Sequence, residues 1–271
     1  MAALGLSMAT ECLREEKTMT VTSPLENLEG KVALVTGASR RIGRATALGL
    51  ARHGADLVIT ARAAKEEIES VADEIRAIGQ KALVTMGDVT SEADVGRMVE
   101  EAKSAFGQID ILVNNAAIRR QAPFLEMTLT DWREINAVIL DGAFLMSRAV
   151  LPLMLENGGG TIVNIGGMTG HTGAKARAHV CAAKAGIVGL TKAIAVEFAD
   201  QGITANCVVP GKIGGKRSAT AGEVPEVGAV NLLGREGDIE EAAGMIVSLC
   251  LPHARYMTGQ SVHVSGGIYM P

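Results

Sequence analysis

Apolar, strand-like runs alternate with helical segments along almost the whole chain, and this alternation restricts the possible folds more than any other feature. The predicted strands are apolar throughout, which is typical of strands buried on both faces: 31–37, 55–61, 81–89, 109–117, 160–167, 203–211 and 260–267. Helical spacing predicts helices at 41–53, 64–78, 91–106, 130–156, 177–200 and 238–251. Thr130 and Asp131 are the expected cap of the fourth helix. Strands of this kind separated by helices indicate a parallel sheet covered on both faces, so we predict a doubly wound α/β fold.

The alternating pattern begins near residue 29 and continues to the end without a repeat, a linker or a low-complexity tract, which favours a single domain over 29–271. With 271 residues, 48% of them hydrophobic, the chain is long enough to bury one large core. We expect residues 1–28 to be a poorly ordered N-terminal extension. This extension lacks the basic start of a secretory signal and is interrupted by glutamates, and Met19 is an alternative start.

Charge and cysteine usage argue against several classes of protein. The net charge of −4 gives no reason to expect a nucleic-acid partner. We expect no apolar run of membrane-spanning length, and so no membrane partner. Cys12, Cys181, Cys207 and Cys250 are scattered and form no C-x-x-C pair. That distribution favours a reduced, cytoplasmic protein without a zinc or other metal site.

The segment TGASRRIGRA (36–45) joins the first predicted strand to the first helix and has the composition of a phosphate-binding loop. Gly37 permits a tight turn, and Gly43 lets the helix pack closely on the strand. Ser39 and the backbone amides at the start of the helix can face a phosphate. An ordinary glycine turn is the alternative, but its position after the first strand of a βαβ unit favours binding.

From about residue 29 to its end, the chain resembles the short-chain dehydrogenase/reductase family. The resemblance rests on several motifs in a fixed order: TGASRRIG (36–43), GDVT (87–90), NNAA (114–117), IVNIGG (162–167), AAKAG (182–186), ITANCVVPG (203–211) and TGQSVHVSGG (258–267). It implies a single Rossmann-type domain, NAD or NADP as cofactor, and an oligomer that is often a tetramer. We therefore expect a homotetramer, with the helices at 130–156 and 177–200 as the contact surface.

The resemblance also implies a set of cofactor-binding residues. They are Gly37, Ser39, Arg40, Arg41, Ile42, Gly43, Arg62, Asp88, Val89, Asn115, Ala116, Lys184, Pro210, Gly211 and Ile213. Because Arg40 and Arg62 stand where a 2′-phosphate would lie and no carboxylate ends the second strand, NADP(H) is favoured over NAD(H). Solvated surface arginines are the alternative. Arg41 replaces the family's middle glycine, and we expect it to adopt an ordinary negative φ.

Three of the four active-site residues that the resemblance implies are replaced. The tyrosine that gives or takes the proton corresponds to Val180, the serine to Gly167 and the asparagine to Ile139. Lys184, which the resemblance implies would hold the nicotinamide ribose, is retained. Tyrosine occurs elsewhere only at positions 256 and 269. Since a general acid contributes roughly 10²–10⁴ in rate, carbonyl reduction by the usual mechanism should be badly impaired.

Two side chains near the replaced positions are candidate substitutes. His179 adjoins Val180 and has a suitable intrinsic pKa, although a packed or solvent-facing histidine is the alternative. Thr169 could offer a hydroxyl two residues after Gly167. Cys181 is expected to be a small core residue.

Segments that the resemblance places around the nicotinamide pocket are rich in basic residues. They contain Arg119, Arg120, His171, Lys175, Arg177, Lys212, Lys216 and Arg217. One interpretation is a small anionic substrate, such as a carboxylate or a phosphorylated compound; solvated loop charges are the other.

Two functions are therefore open. The first is an NADP(H)-dependent oxidoreductase of the short-chain type, acting on a small anionic carbonyl or alcohol with a non-standard proton donor. The second is a non-catalytic NADP(H)-binding protein with a regulatory or structural role.

Overall fold

The computed structural model describes residues 27–215 and 231–271. Its centre is a seven-stranded sheet in the order β3-β2-β1-β4-β5-β6-β7, in which all neighbours pair in parallel. The strands are Val32–Thr36 (β1), Asp56–Ala61 (β2), Ala82–Met86 (β3), Ile111–Asn114 (β4), Gly160–Ile165 (β5), Ile203–Pro210 (β6) and Ser261–Val264 (β7). The strand order reverses between β1 and β4, so the predicted doubly wound Rossmann-type fold is confirmed.

The described helices follow the predicted spacing closely. They are Arg41–Arg52 (α1), Lys65–Ile78 (α2), Glu92–Phe106 (α3), Leu129–Asn136 (α4), Gly142–Glu156 (α5), Thr169–Thr172 (α6), Ala178–Phe198 (α7) and Ile239–Cys250 (α8). The helix predicted over 130–156 is divided by a π-helical turn, Ala137–Asp141. The short α6 was not predicted, because four residues cannot establish a helical period.

The cap predicted at Thr130 and Asp131 is wrong by one half-turn. Thr128 is the N-cap of α4: its hydroxyl accepts from the Asp131 backbone N–H, and the Asp131 carboxylate accepts from the Thr128 N–H. This reciprocal arrangement is a capping box, which satisfies two otherwise unpaired donors. Asp131 is therefore a helical residue and not the cap.

Alternation along the strands divides the core between the two faces of the sheet. Ala33 and Val35 pack on the face covered by α1, α2 and α8. Val32 and Leu34 pack on the opposite face, with Met146 of α5 and other residues from α3 and α7. Parallel strands expose all their carboxyl ends at one edge, and this edge carries the candidate site.

The packed structure includes one residue of the predicted extension. Leu28 is 3% exposed and contributes to the core, and its N–H donates to the carbonyl of His53 at 2.7 Å. The remaining part of the predicted extension, up to residue 26, lies outside the described residues.

Two described helical segments are long and apolar enough to cross a membrane, so the expectation about apolar length is wrong. The segments are Leu129–Glu156 and Ala178–Gln201, with mean hydropathies of 1.7 and 1.4. In the most apolar 18-residue stretch of each segment, 56% and 44% of the residues are buried inside the fold. A core helix of a soluble domain has the same composition, so length alone is weak support for a membrane span.

Candidate active site

The predicted cofactor residues gather at the carboxyl edge of the sheet. They follow five different strands: Gly37 to Gly43 follow β1, Arg62 follows β2, Asp88 and Val89 follow β3, Asn115 and Ala116 follow β4, and Pro210 to Ile213 end or follow β6. The topological reversal between β1 and β4 lies at the centre of this set. Crevices at such reversals are where open α/β sheets bind ligands.

The glycine loop is held tightly against the segment after β4. Gly37 has φ +64°, a left-handed turn that glycine adopts without strain. A Cβ at Gly43 would lie 2.4 Å from Asn115 Nδ2, so the predicted need for glycine there is confirmed. Asn115 Nδ2 donates to the carbonyls of Thr36 and Gly37, both at 2.9 Å. The Asn115 amide therefore braces the loop.

Arg41 does not have the expected negative φ. Its φ is +51°, so a residue with a Cβ occupies the left-handed conformation usually assigned to glycine. Its guanidinium Nη2 donates to the carbonyl oxygens of Ile213 at 3.3 Å and Gly214 at 3.0 Å. These bonds, which cross from the glycine loop to the segment after β6, oppose the local strain.

The start of α1 has no side-chain cap and carries positive charge. Arg40 is the N-cap, its side chain makes no capping hydrogen bond, and the first turn of α1 contains no acidic residue. Helix N-termini of this kind bind phosphate through their backbone amides. Arg40 and Arg62 are exposed at neighbouring strand ends. The donor set therefore fits a ligand with several phosphates.

Asp88 and Arg62 form the outer wall of this region. Arg62 Nη1 lies 3.5 Å from Asp88 Oδ2, a long contact between partly exposed groups. Burial raises the pKa of Asp88, but hydrogen bonds from Thr90 and the Arg62 charge outweigh burial and hold this pKa below its usual value. Asp88 is thus an anion that orients Arg62.

Lys184 of α7 is buried, with 3% of its surface exposed. Its ammonium donates to the carbonyl of Ile165, at the end of β5, at 2.5 Å. Burial, together with the nearby charge of Arg119, lowers the pKa of Lys184 to about 7, while Cys207 acts in the opposite direction. Burial also raises the pKa of the Cys207 thiol to about 11.

The positions of the missing tyrosine and asparagine are filled by an apolar cluster. Val180 is 3% exposed and Ile139, within the π turn, is 2% exposed. Both pack with Ile135, Ala183 and other residues of α4, α7 and β6. No polar relay can run through such a cluster, because it offers no hydrogen-bonding side-chain groups at these two positions.

His179 is buried among charged residues near α4. It is 0% exposed, and its Nε2 has no hydrogen-bond partner. Burial lowers the pKa of His179, whereas the backbone of Arg177 and the charge of Asp131 raise it. The groups that interact electrostatically with His179 are Asp131, at the start of α4, and Arg177, at the start of α7. The packed interpretation is therefore favoured over a proton donor facing Lys184.

The basic residues assigned to an anionic substrate do not form one surface. Arg177 is 2% exposed, and Arg120 makes a two-pronged ion pair with Glu134. His171 packs against His263 with ring centroids 4.5 Å apart, and Lys212 pairs with Glu236 at 3.1 Å. Lys216 and Arg217 lie outside the described residues, whereas Arg119 and Lys175 are exposed and Thr169 is half-buried.

A buried chain of polar side chains connects the sheet to α7. Asn114 Nδ2 donates to Asn164 Oδ1 at 2.8 Å, and Asn164 Nδ2 donates to Thr191 Oγ1 at 2.9 Å. The Thr191 hydroxyl donates to the carbonyl of Ile187 at 2.7 Å. Sequence reasoning did not assign roles to Asn114 and Asn164, although an asparagine in each of two apolar strands was a usable signal.

Known proteins share this architecture over nearly all of the chain. The family model described as Enoyl-(Acyl carrier protein) reductase matches residues 37–269. A 3-oxoacyl-[acyl-carrier-protein] reductase of Synechocystis sp. is 40% identical over 90% of this chain and 98% of the relative. The corresponding Escherichia coli reductase is 37% identical over 90% of this chain and 99% of the relative.

Solved structures agree with these sequence matches. A short-chain type dehydrogenase/reductase from Mycobacterium marinum superimposes with a TM-score of 0.82 at 36% identity, covering 92% of this chain and 100% of that one. This chain belongs to the short-chain dehydrogenase/reductase family. A putative short-chain alcohol dehydrogenase from Sinorhizobium meliloti also has a TM-score of 0.82, at 31% identity, covering 90% of this chain and 98% of that one.

Membership of the short-chain dehydrogenase/reductase family makes this chain an NAD(P)-dependent oxidoreductase. Like a cofactor-binding member of this family, the molecule has a glycine loop held by Asn115 and a buried Lys184. It has valine and isoleucine where the resemblance places tyrosine and asparagine.

Proposed function

We propose that this protein is a cytoplasmic, NADP(H)-dependent reductase of a carbonyl group carried by an acyl compound, working without the usual tyrosine. When bound, the cofactor supplies hydride to the carbonyl carbon. The protein's residues bind the cofactor phosphates, position the carbonyl and manage one proton. Cys181, Cys207 and Cys250 are free thiols, which suits a reducing compartment.

The observation that carries the proposal is the uncapped, acid-free start of α1 beside two exposed arginines. The helix N-terminus suits the diphosphate of a dinucleotide. Arg40 and Arg62, on neighbouring strand ends, suit a 2′-phosphate. Asp88 is held as an anion beside Arg62 and lies after β3, so it does not replace the carboxylate that NAD-selective sites place at the end of β2.

The names of the relatives and the positive charge near Lys184 both indicate the class of substrate. Relatives that match nearly the full chain are named 3-oxoacyl-[acyl-carrier-protein] reductases, so a 3-oxoacyl thioester is the first compound to test. Arg119 is exposed and acts on buried Lys184. Positive charge of this kind would stabilise the negative charge that develops on a carbonyl oxygen bound beside Lys184. The same charge suits a small keto acid, and a keto acid is the second compound class.

The test measures NADPH and NADH oxidation with a 3-oxoacyl thioester, a panel of keto acids and simple aldehydes. We expect turnover with NADPH to exceed turnover with NADH at equal concentration for at least one thioester or keto acid. Tight NADPH binding in calorimetry without turnover on any compound would instead support the non-catalytic cofactor-binding protein. Equal rates with both cofactors would contradict the proposed preference.

A further inference from the structure

The Lys184 side chain packs directly against Gly167. A Cβ at Gly167 would lie 3.3, 3.5 and 3.6 Å from Lys184 Cγ, Cδ and Cε. The lysine stem therefore lies along the glycine surface at the carboxyl end of β5, and the ammonium is held by the Ile165 carbonyl. Glycine at 167 gives the stem slightly more room than a residue with a Cβ would, because the shortest of these distances is only just below ordinary van der Waals contact.

Neither of the two described tyrosines is among the groups that act on Lys184. Tyr256 is fully exposed on the surface, and Tyr269 packs against His171 and His263 with centroids 5.3 and 4.8 Å away. His179 interacts with Arg177 and Asp131 near the start of α7. The charged or titratable side chains that act on Lys184 within the described residues are Arg119, after β4, and Cys207, on β6.

Neither of these two neighbours is suited to proton transfer. The guanidinium of Arg119 does not lose its proton in proteins. Burial raises the pKa of the Cys207 thiol to about 11, so this thiol is a weak acid. Lys184, whose pKa burial and Arg119 lower to about 7, can both lose and regain a proton near neutral pH. An acid whose pKa lies near the working pH is the most effective donor.

We propose that the Lys184 ammonium is the catalytic acid that gives its proton directly to the substrate oxygen, with Arg119 stabilising the negative charge there. The inference rests on the proposed function. As hydride adds to the carbonyl carbon, the C=O π pair moves to oxygen. One N–H bond of Lys184 breaks, an O–H bond forms, and the alcohol leaves. The neutral amine then takes a proton from water, which completes the cycle.

The first experiment separates proton transfer from charge. Lys184→Arg keeps the positive charge but cannot release a proton, so we expect it to lose about 10²–10⁴ in turnover at saturating NADPH. Lys192→Arg, on an exposed position of the same helix, is the matched control and should keep full turnover. If the wild type turns over and Lys184→Arg is equally active, the role of Lys184 as acid is overturned, while the proposed function stands. No turnover in the wild type would overturn both.

The second experiment gives a signature that a merely structural lysine would not produce. Lys184→Ala should regain turnover when small primary alkylamines are added, with rates that depend on the pKa of the amine. Failure of every added amine to restore turnover in a variant that still binds NADPH would contradict direct donation.

The third experiment uses the folded wild-type protein and needs no turnover. Competitive acetylation across pH, read by mass spectrometry, should give Lys184 an apparent pKa near 7, well below the ordinary value for lysine. Because the ammonium is the required form, wild-type reduction should slow as pH rises through the same value. A Lys184 that titrates with the exposed lysines would overturn the proposal even if Lys184→Arg fails to fold.

Discussion

Arg41 Nη2 donates to the carbonyl oxygen of Gly214 at 3.0 Å while Arg41 itself has φ +51°. A left-handed residue with a Cβ costs roughly 1–2 kcal/mol, and a hydrogen bond from a charged donor contributes roughly 1.5–3 kcal/mol. The two effects are of similar size. The bond therefore stabilises a strained glycine loop by connecting it to the segment after β6.

Arg41→Gly should loosen that segment with little change in melting temperature. The substitution removes both the strain at position 41 and the hydrogen bond to the Gly214 carbonyl, so their effects on stability nearly cancel. The Gly214 N–H, which donates to the Gly237 carbonyl at 2.9 Å, is then less firmly held, because Arg41 no longer anchors this residue. We expect hydrogen exchange at Gly214 to speed up on the order of tenfold, the equivalent of ~1.4 kcal/mol. Hydrogen-exchange mass spectrometry measures this effect. Arg40→Ala is the control, and equal exchange in both variants would contradict the connection.

Arg62→Ala should weaken NADPH binding about tenfold and leave NADH binding nearly unchanged, because a charged hydrogen bond to the 2′-phosphate is lost. Arg40→Ala should behave in the same way. Isothermal calorimetry with both cofactors checks the result, and Arg52→Ala, an exposed arginine at the other end of α1, is the control. A parallel loss of NADH affinity would show that the arginine does not read the 2′-phosphate.

Val180→Tyr should destabilise the fold instead of restoring a working tyrosine. Val180 is 3% exposed and packs against Ile139, so the larger ring overfills a closed cluster. We expect the free energy of unfolding to fall by about 1–3 kcal/mol. Urea denaturation gives the value, and Val180→Ile, which adds one methyl group, should cost less. An unchanged stability together with increased carbonyl reduction would mean that the cluster opens.

Acid should destabilise the protein through His171 and His263. Burial lowers the pKa of both imidazoles, with the Lys192 charge adding to the effect at His171 and the His171 charge adding to it at His263. The neutral rings favour the fold, so their contribution is present above about pH 6.5 and is lost as pH falls through the lowered folded-state pKa.

The measurement is urea unfolding of the wild type and His263→Phe at about pH 7.5 and about pH 5. We expect the variant to lose less stability on acidification, because a phenyl ring keeps the ring contacts but cannot take up a proton. His253→Phe, at an exposed position, should behave like the wild type. Identical acid sensitivity in all three proteins would remove the pair as the cause.

Assembly is predicted to use α5 and α7. Phe144 on α5 is 47% exposed and Val196 on α7 is 86% exposed, both large apolar surfaces for a solvated helix. Light scattering at micromolar concentration should give the mass of a homotetramer. Phe144→Glu with Val196→Glu should lower that mass, whereas Tyr256→Glu should not. A monomeric wild type would contradict the prediction.

Local patterns predicted most of the fold, because strand and helix periodicities are carried by neighbouring residues. The directions of individual side chains were less predictable. Arg177 was expected to line a loop but is buried, and His179 faces groups of α4 that are distant in sequence. The left-handed Arg41 was missed because its compensation comes from carbonyls about 170 residues away, at Ile213 and Gly214.

The hydrogen bonds from Asn114 through Asn164 to Thr191 connect the sheet to one side of α7 and restrict the rotation of this helix about its own axis. Thr191 follows Lys184 by seven residues, two helical turns, so both side chains leave the helix on the same side. A purely apolar contact has no preferred direction, whereas the bond from Asn164 to Thr191 is directional and is itself supported by Asn114. The asparagine pair therefore helps to orient α7 so that the Lys184 side chain lies at the end of β5, where its ammonium contacts the Ile165 carbonyl.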